Sequence, residues 1–209
     1  MKLIQRQGYL DFLRRNRNRP IVKVVSGIRR CGKSTLFRLF KDELLSEGVK
    51  PEQIISINFE ELEYEHLREY HALYQYILNQ MQPNQMNYIF LDEIQHVDQF
   101  HRVVDSLFVK ENTDIYITGS NAYFMSSDIA TLLTGRYVEI QMLPLSFAEF
   151  YYSKYEEQQY SLIPAYEAYL RESSFPYTQQ LGGEDFDIQE YLRGLFNTLL
   201  LHDVVRSEE

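Results

Sequence analysis

The sequence has one cysteine, no tryptophan and no long apolar run, and each of these scarcities narrows what the chain can be. Cys31 is the single cysteine, which excludes an internal disulfide and any zinc cluster. No stretch holds 18 consecutive apolar residues, and the N-terminus lacks an apolar core of signal-peptide length. Repeats, low-complexity tracts and linkers rich in Pro, Gly and Ser are absent as well. We therefore expect a globular cytoplasmic protein with no membrane partner.

Length and composition are sufficient for a large hydrophobic core. The chain has 209 residues, of which 44% are hydrophobic, and it contains 17 Tyr and 13 Phe. This size predicts one large domain, or one domain and part of another.

One octapeptide carries the strongest functional signal. Residues 27–34 read GIRRCGKS, which matches the phosphate-loop pattern G-x-x-x-x-G-K-[ST] in full. The octapeptide follows a β-branched run at 21–25 that predicts a buried strand, and it precedes apolar residues at helical spacing that end near Gly48. Strand, glycine turn and helix are the context that the pattern requires. A fortuitous glycine loop between an ordinary strand and helix is the weaker alternative.

The chemistry of this pattern predicts a nucleotide site. Backbone N–H groups of the turn converge on an anion at the helix N-terminus, where the helix dipole also favours negative charge. Lys33 would reach the β- and γ-phosphates, and the Ser34 hydroxyl would bind Mg²⁺. The residues predicted to contact the nucleotide are Gly27, Ile28, Arg29, Arg30, Cys31, Gly32, Lys33, Ser34 and Thr35.

A second element has the form of a Walker B site. The apolar run at 88–91 ends in Asp92 and Glu93. At the end of a strand, Asp92 can hold the Mg²⁺ shell, while Glu93 can orient or deprotonate a water for in-line attack on the γ-phosphate. In the alternative interpretation Asp92 begins a loop and Glu93 is the N-terminal acid of the following helix. The upstream phosphate loop favours the functional interpretation.

Charge is unevenly distributed along the chain. The net charge is −9, yet residues 1–41 hold twelve of the 21 Lys and Arg residues and a single acid. Part of this basic charge belongs to the phosphate loop, but a separate basic cluster precedes the first strand: Arg14, Arg15, Arg17 and Arg19. Such a cluster can bind nucleic acid or pair with acids elsewhere in the chain, but a solvated surface is the favoured interpretation. The acidic remainder argues against a broad nucleic-acid surface.

Strands and helices alternate through most of the chain. Further strands are predicted at 54–59, 88–91, 115–118 and 138–142, with helical patterns between them that include a short helix at 127–133. Beyond residue 144 helical patterns dominate, at 145–152, 164–174 and 188–205. The alternation predicts an α/β fold of βαβ units, with a parallel sheet covered on both faces and ligands at the carboxyl ends of its strands.

These motifs and their neighbours resemble a bacterial and archaeal ATPase family of the AAA+ superfamily, in which the ATPase core precedes a C-terminal domain of unknown function. The matching blocks follow the family's order through nearly the whole chain: VVSGIRRCGKSTLF at 24–37, ISINFEE at 55–61, IFLDEIQ at 89–95, DIYITGSNAYF at 114–124, LLTGRYVEI at 132–140, PLSFAEF at 144–150 and YLRGLFNTLLLHDVV at 191–205. The resemblance implies a P-loop NTPase three-layer αβα sandwich with five parallel strands in the order 5-1-4-3-2. It also implies an ATPase core at 1–144, a helical lid or start of a second module at 145–209, and a chain that stops before the family's C-terminal domain.

The resemblance further implies roles for individual residues. Ser120 or Asn121 matches the polar sensor of the γ-phosphate, and Asn121 is preferred because its amide both donates and accepts hydrogen bonds; a simple turn residue is the alternative. Arg136 matches the position of an arginine finger for a neighbouring subunit's nucleotide, with a local ion pair to Glu139 or another acid as the alternative. Asn58 could hold Glu93 inactive until a partner binds.

Two functions of different classes remain open from the sequence. The first is ATP binding and Mg²⁺-dependent ATP hydrolysis coupled to a conformational change of an effector or partner that the sequence does not identify. The second is a nucleotide-dependent regulatory switch that binds DNA or protein, with little or no hydrolysis. A homo-oligomer through Arg136 and a DNA or protein partner are open for this chain. Glu93 favours hydrolysis, since a pure binder needs only the metal-holding Asp92. A kinase is disfavoured because no acceptor pocket is identifiable, and guanine specificity because no Asn-Lys-x-Asp segment is present.

Overall fold

The computed structural model describes residues 4–120, 133, 135–155, 160–181 and 185–203. The chain divides into two compact units, which we treat separately. The sheet unit comprises residues 7–27 and 33–142, and the helical unit comprises residues 1–6, 28–32 and 143–209. The predicted domain boundary at 144 stays a prediction.

The sheet unit contains a parallel sheet of five strands. The strands are β1 (Val22–Gly27), β2 (Ile54–Asn58), β3 (Asn87–Asp92), β4 (Thr113–Ser120) and β5 (Tyr137–Met142). Their order is β2-β3-β4-β1-β5, and every neighbouring pair is parallel. The predicted order, 5-1-4-3-2, is the same arrangement read from the other edge and is confirmed.

Helices connect these strands. They are α1 (Gln7–Asn16), α2 (Lys33–Ser46), α3 (Tyr70–Gln80) and α4 (Phe100–Phe108), with short 3₁₀ turns at Pro51–Gln53, Leu62–Leu67 and Ile94–His96. The sequence did not predict α1, which buries Leu10, Phe12 and Leu13. The short helix expected at 127–133 lies outside the described residues apart from Leu133.

The core lies on both faces of the sheet, as expected for buried parallel strands. Every residue of β1 and β3 is buried, so neither strand shows the alternation of a sheet with one solvated face. One face packs aliphatic side chains from α3 and α4 against the strands. On the other face Phe37 and Phe40 of α2 contact Phe90 and Tyr116, whose rings stack at 4.7 Å. Aromatic pairs of this kind contribute about 0.5–1.5 kcal/mol beyond their buried area.

The basic cluster that precedes β1 is largely paired with acids. Arg14 contacts Glu43 of α2 at 2.6 Å, and Arg17 pairs with Glu47 of the same segment and contacts the Tyr88 hydroxyl. Arg15 donates to the backbone carbonyl of Asp11. These contacts favour the acid-pairing interpretation of the cluster for Arg14 and Arg17.

The helical unit contains α5 (Phe147–Tyr155), α6 (Leu162–Glu172) and α7 (Asp185–Asp203), with a 3₁₀ turn at Pro176–Gln180. Tyr169 of α6 packs its ring 5.3 Å from Phe150 of α5, and its hydroxyl donates to the Leu145 carbonyl at 2.9 Å. Among the described residues, no helix is both long enough and apolar enough to span a bilayer.

Candidate functional site

The carboxyl ends of β1, β3 and β4 meet at one edge of the sheet unit because the strands are parallel and adjacent. β1 ends at Gly27, β3 at Asp92 and β4 at Ser120. Since α2 begins at Lys33 and Glu93 follows β3 directly, the predicted phosphate-binding lysine and both predicted acids lie at this edge.

Lys33 is held by two acceptors in the sheet unit. Its side chain is 3% exposed, and its ammonium donates to the Gly27 carbonyl at 3.1 Å. The same Nζ lies 3.1 Å from Glu93 Oε1, so the lysine and the predicted general base form an ion pair. A phosphate would compete with Glu93 for this ammonium, because both are anions that a lysine binds as a point charge.

Asp92 is a buried carboxyl of the site, with an exposed fraction of 7%. Burial raises its pKa, and hydrogen bonds from the Ser34 and Thr118 hydroxyls oppose that shift. Thr118 lies on β4 one position beyond the paired residues Leu91 and Ile117, which brings its Oγ1 to Asp92 Oδ1. Asp92 is therefore fixed between a residue of α2 and a residue of β4.

Glu93 occupies a left-handed backbone conformation, with φ 55° and ψ 48°. A non-glycine residue in this region is uncommon and is found where the surroundings enforce it, often at functional sites. Its N–H donates to Thr118 Oγ1 at 2.9 Å, and its Oε2 accepts from Gln95 Nε2 at 2.6 Å. With Lys33 on Oε1, both carboxylate oxygens have a partner.

The donor set fits Mg²⁺. The Ser34 hydroxyl and the Asp92 carboxylate are hydrogen-bonded to each other, which puts two hard oxygen ligands side by side. Within the described part of the chain no group of three or more His, Cys, Asp or Glu residues could hold a metal by itself. A site with two protein oxygens suits Mg²⁺ in particular, because that ion keeps waters and binds substrate phosphates.

The residues of the phosphate loop are divided between the two units, with Ile28–Gly32 in the helical unit. Gly32 has φ 106°, a conformation that side chains rarely adopt, and Arg30 has φ 65°. Within the helical unit the Arg30 guanidinium lies 5.5 Å from the centre of the Tyr191 ring, and the Cys31 carbonyl accepts from Arg6 at 3.2 Å. The nucleotide contacts of this loop stay predictions.

Three further predicted residues have different outcomes. Asn121 lies outside the described residues, whereas Ser120, the other sensor candidate, has its hydroxyl 3.5 Å from Gln95 Nε2. Asn58 forms local turn contacts with Glu60 and Glu61, so its predicted hold on Glu93 finds no support in these contacts. The role of Arg136 as an arginine finger stays a prediction.

Arg136 lies at the opposite edge of the sheet from Asp92. Its carbonyl accepts from Val22 N at the start of β1, far along the strand from Gly27. The side chain is 47% exposed, and its nearest acid is Asp105 at 3.7 Å; Glu139, the acid expected from the sequence, instead accepts from the Ser26 hydroxyl. Arg136 is therefore a half-exposed cation that pairs with Asp105.

Sequence reasoning missed Thr118 and Gln95. Thr118 follows the apolar residues Ile115–Ile117 of β4, and it lies three residues before the predicted sensor, a spacing that gives no motif. Gln95 belongs to the block IFLDEIQ, but the sequence assigns it no role. Its amide reaches the Glu93 carboxylate because Glu93 adopts a left-handed conformation, which the sequence does not predict.

Fold and side chains together define a P-loop nucleotide-binding protein: a parallel sheet in the order β2-β3-β4-β1-β5, a GIRRCGKS loop after β1 and adjacent acids after β3. Comparison with known protein families identifies the family within this class. A family model described as an AAA domain matches residues 19–151, and the chain therefore belongs to the AAA family of P-loop ATPases.

Curated relatives occur in a bacterium and an archaeon. An uncharacterized protein of Haemophilus influenzae is 38% identical over 205 residues, covering 97% of this chain and 50% of its own length. An uncharacterized protein of Methanocaldococcus jannaschii is 34% identical over 191 residues, covering 84% of this chain and 41% of its own length. The chain thus spans about half the length of the curated relatives it matches.

Solved structures agree on the fold. The Walker-type ATPase PABY2304 of Pyrococcus abyssi superposes with a TM-score of 0.60 at 16% identity, covering 98% of this chain and 75% of that one. AMPPCP-bound DnaA from Aquifex aeolicus superposes with a TM-score of 0.54 at 12% identity, covering 97% of this chain and 65% of that one. At these identities the likeness shows the fold alone.

Proposed function

We propose that this chain binds ATP with Mg²⁺ and hydrolyses the bond between the β- and γ-phosphates. The main support is the ion pair between Lys33 and Glu93, which lies beside the hydrogen-bonded pair of Ser34 and Asp92. At one edge of the sheet the chain thus has a cation that can bind phosphate, a candidate general base and two candidate metal ligands. Family membership and the AMPPCP bound to the DnaA neighbour support nucleotide binding.

Each side chain has a distinct task in this proposal. Lys33 moves from Glu93 to the β- and γ-phosphates, and the loop residues 28–32 donate backbone N–H groups to the phosphates. Ser34 and Asp92 would hold Mg²⁺, which would supply positive charge for the phosphate oxygens. Release of Lys33 frees Glu93 Oε1 to accept a proton from the attacking water. Asn121, or Ser120, senses the γ-phosphate in the predicted scheme.

The rival function, a nucleotide-dependent switch with little hydrolysis, shares this site. The Lys33–Glu93 pair favours a conformational response to nucleotide in either case, because the phosphate must displace one partner. Turnover separates the two functions. A DNA or protein partner, a homo-oligomer through Arg136 and a cytoplasmic location belong to the proposal as well.

Phosphate release and calorimetry with ATP test the proposal. Glu93→Gln should keep ATP affinity within a few-fold and lose about 10²- to 10⁴-fold in turnover, the usual range for a general base. Lys33→Ala should lose ATP binding itself. Glu63→Gln, a change at an exposed glutamate of the same unit, is the matched control and should match the wild type.

Two outcomes would contradict the proposal. Unchanged turnover in Glu93→Gln removes Glu93 as the base. Tight Mg²⁺-dependent ATP binding with no turnover above buffer in the wild type selects the switch instead.

A further inference from the structure

Gln95 contacts the predicted base, and the sequence pattern assigns it no role of its own. It lies in the 3₁₀ turn Ile94–His96, two residues after Glu93. The left-handed conformation of Glu93 folds the chain back, so that Gln95 Nε2 reaches Glu93 Oε2 at 2.6 Å. This is the shorter of the two contacts made by the carboxylate, since Lys33 Nζ lies 3.1 Å from Oε1.

The orientation of the Gln95 amide follows from its charged neighbour. A carboxylate accepts hydrogen bonds and donates none, so the amide nitrogen must face Glu93 and the amide oxygen must point elsewhere. Gln95 Oε1 is buried and has no hydrogen-bond partner in the described part of the chain. A buried acceptor of this kind is costly unless something donates to it, and water, the second substrate of a hydrolase, is such a donor.

We propose that Gln95 is the positioning residue of the general base. This inference rests on the proposed function and deepens it. Gln95 holds Glu93 Oε2 in the nucleotide-free and ATP-bound states alike, while Lys33 leaves Oε1 for the phosphates. Glu93 then presents Oε1 to the attacking water in one orientation, and no proton transfer involves Gln95 itself.

The proposed role makes a specific energetic demand. Glu93 already occupies an uncommon backbone region, and its side chain has several rotatable bonds. A second contact on the carboxylate restricts its rotation and keeps it in one orientation. Misplacement of a catalytic group by about 1 Å can cost about 10²-fold in rate. The contribution of Gln95 therefore appears in kcat and depends on the presence of the Glu93 carboxylate.

Steady-state ATP hydrolysis by a double-mutant cycle tests this role. Gln95→Met keeps the length and removes the hydrogen bonds, and it should lower kcat about 10- to 100-fold with KM and ATP affinity within a few-fold of the wild type. In the Glu93→Gln background, Gln95→Met should lower kcat little further, because the carboxylate that Gln95 would orient is absent. Gln80→Ala, at an exposed glutamine that ends α3, is the control and should behave as the wild type.

A second substitution separates orientation from packing. Gln95→Glu fills the same space but sets a second carboxylate against Glu93, and kcat should fall at least as far as in Gln95→Met. Thermal melting of each variant checks that the fold is retained. If Gln95→Met keeps the wild-type kcat, or lowers kcat equally with and without the Glu93 carboxylate, the positioning role is wrong while the hydrolase proposal stands. Absence of wild-type turnover overturns both.

Discussion

At the scale of single residues, Thr118 connects the two acids of the site. Its hydroxyl donates to Asp92 Oδ1 and accepts from the Glu93 N–H, so one oxygen fixes both the predicted metal ligand and the turn that carries the predicted base. The side chain is fully buried, which means that no water can replace either bond without a rearrangement.

Thr118→Val should therefore weaken both stability and catalysis. The change keeps the shape and leaves a buried carboxylate oxygen and a buried N–H short of a partner, at a cost of about 1–3 kcal/mol. Urea unfolding measures the stability. In a phosphate-release assay, Thr118→Val should lose a larger fraction of the turnover than Thr118→Ser, which retains the hydroxyl. Equal behaviour of the Val and Ser variants would show that the hydroxyl is not what matters.

A second residue-scale prediction concerns the ion pair at the opposite ends of the strands. Lys23 at the start of β1 and Asp114 at the start of β4 are fully buried against each other, and Asp114 also accepts from Asn18 N and the Tyr116 hydroxyl. Burial lowers the pKa of Lys23, and its attraction to Asp114 opposes that shift. Lys23→Met leaves a buried carboxylate without its cation, and urea unfolding should report a loss of about 3–5 kcal/mol.

The double variant Lys23→Met with Asp114→Asn is the control for this pair. Removing both charges should restore much of the lost stability, because the main cost of the single change is an uncompensated buried charge. A double variant no more stable than Lys23→Met would contradict that explanation. Turnover should change little in variants that remain folded, since the pair lies at the edge of the sheet away from Asp92.

From the sequence we could propose roles for residues in local motifs, but not for residues whose contacts come from distant parts of the chain. Lys33 and Asp92 were found because a strand, a turn and an acid at fixed spacing have a known geometry. Thr118 and Gln95 act through contacts across strands and around a left-handed turn, which a linear pattern does not encode. Asn58 was assigned from its strand end alone, and its side chain serves the local turn.

At the scale of elements, the strands were predicted well and their order was not derivable from periodicity. Apolar runs located each strand to within about two residues, but the sequence 5-1-4-3-2 came from the family resemblance. Helix α1 was missed because a segment rich in arginine reads as solvated surface. Its Arg14 pairs with Glu43 of α2, while Leu10 and Leu13 are buried in the core.

An N-terminal arginine links several segments of the helical unit. Arg6 is 4% exposed and donates to both oxygens of Glu149 on α5, at 2.8 and 2.9 Å, and to the carbonyls of Cys31, Leu143 and Pro144. Burial alone would raise the pKa of Glu149, but the hydrogen bonds from Arg6 and Ser146 outweigh it and the pKa is lowered. One guanidinium thus joins the phosphate-loop segment to α5 within this unit.

The lowered pKa of Glu149 makes part of the stability depend on pH. A carboxyl whose pKa is lower in the folded state stabilises the fold above its unfolded pKa, and this stabilisation is lost as the pH falls through the folded pKa. Glu149→Gln should cost about 1–3 kcal/mol near neutral pH and less in acid, so that the pH dependence of its unfolding is flatter than that of the wild type. Urea melts from pH 7 to pH 3 measure this, and parallel curves for the two proteins would rule it out.

At the scale of the whole molecule, the predicted role of Arg136 concerns assembly. It lies at the sheet edge opposite Asp92, half exposed, with Asp105 as a distant ion-pair partner and the Phe108 ring 5.4 Å from its guanidinium. A surface ion pair at 3.7 Å contributes little stability, so pairing alone does not account for an arginine at this place. An arginine finger for a neighbouring copy, which we predict, would need the exposure that Arg136 has.

Mixing two inactive variants tests that role directly. Arg136→Ala should keep ATP binding and lose about 10³- to 10⁵-fold in turnover, the usual contribution of an arginine finger. Lys33→Ala should lose ATP binding but retain Arg136. If the finger acts between subunits, an equimolar mixture contains interfaces in which Arg136 of the lysine variant faces an intact site of the arginine variant. Turnover of the mixture should then exceed the sum of the separate variants, and it should rise faster than linearly with protein concentration. A mixture that gives only the sum, or an Arg136→Ala chain with wild-type turnover, excludes the finger and assigns Arg136 to its local pair with Asp105.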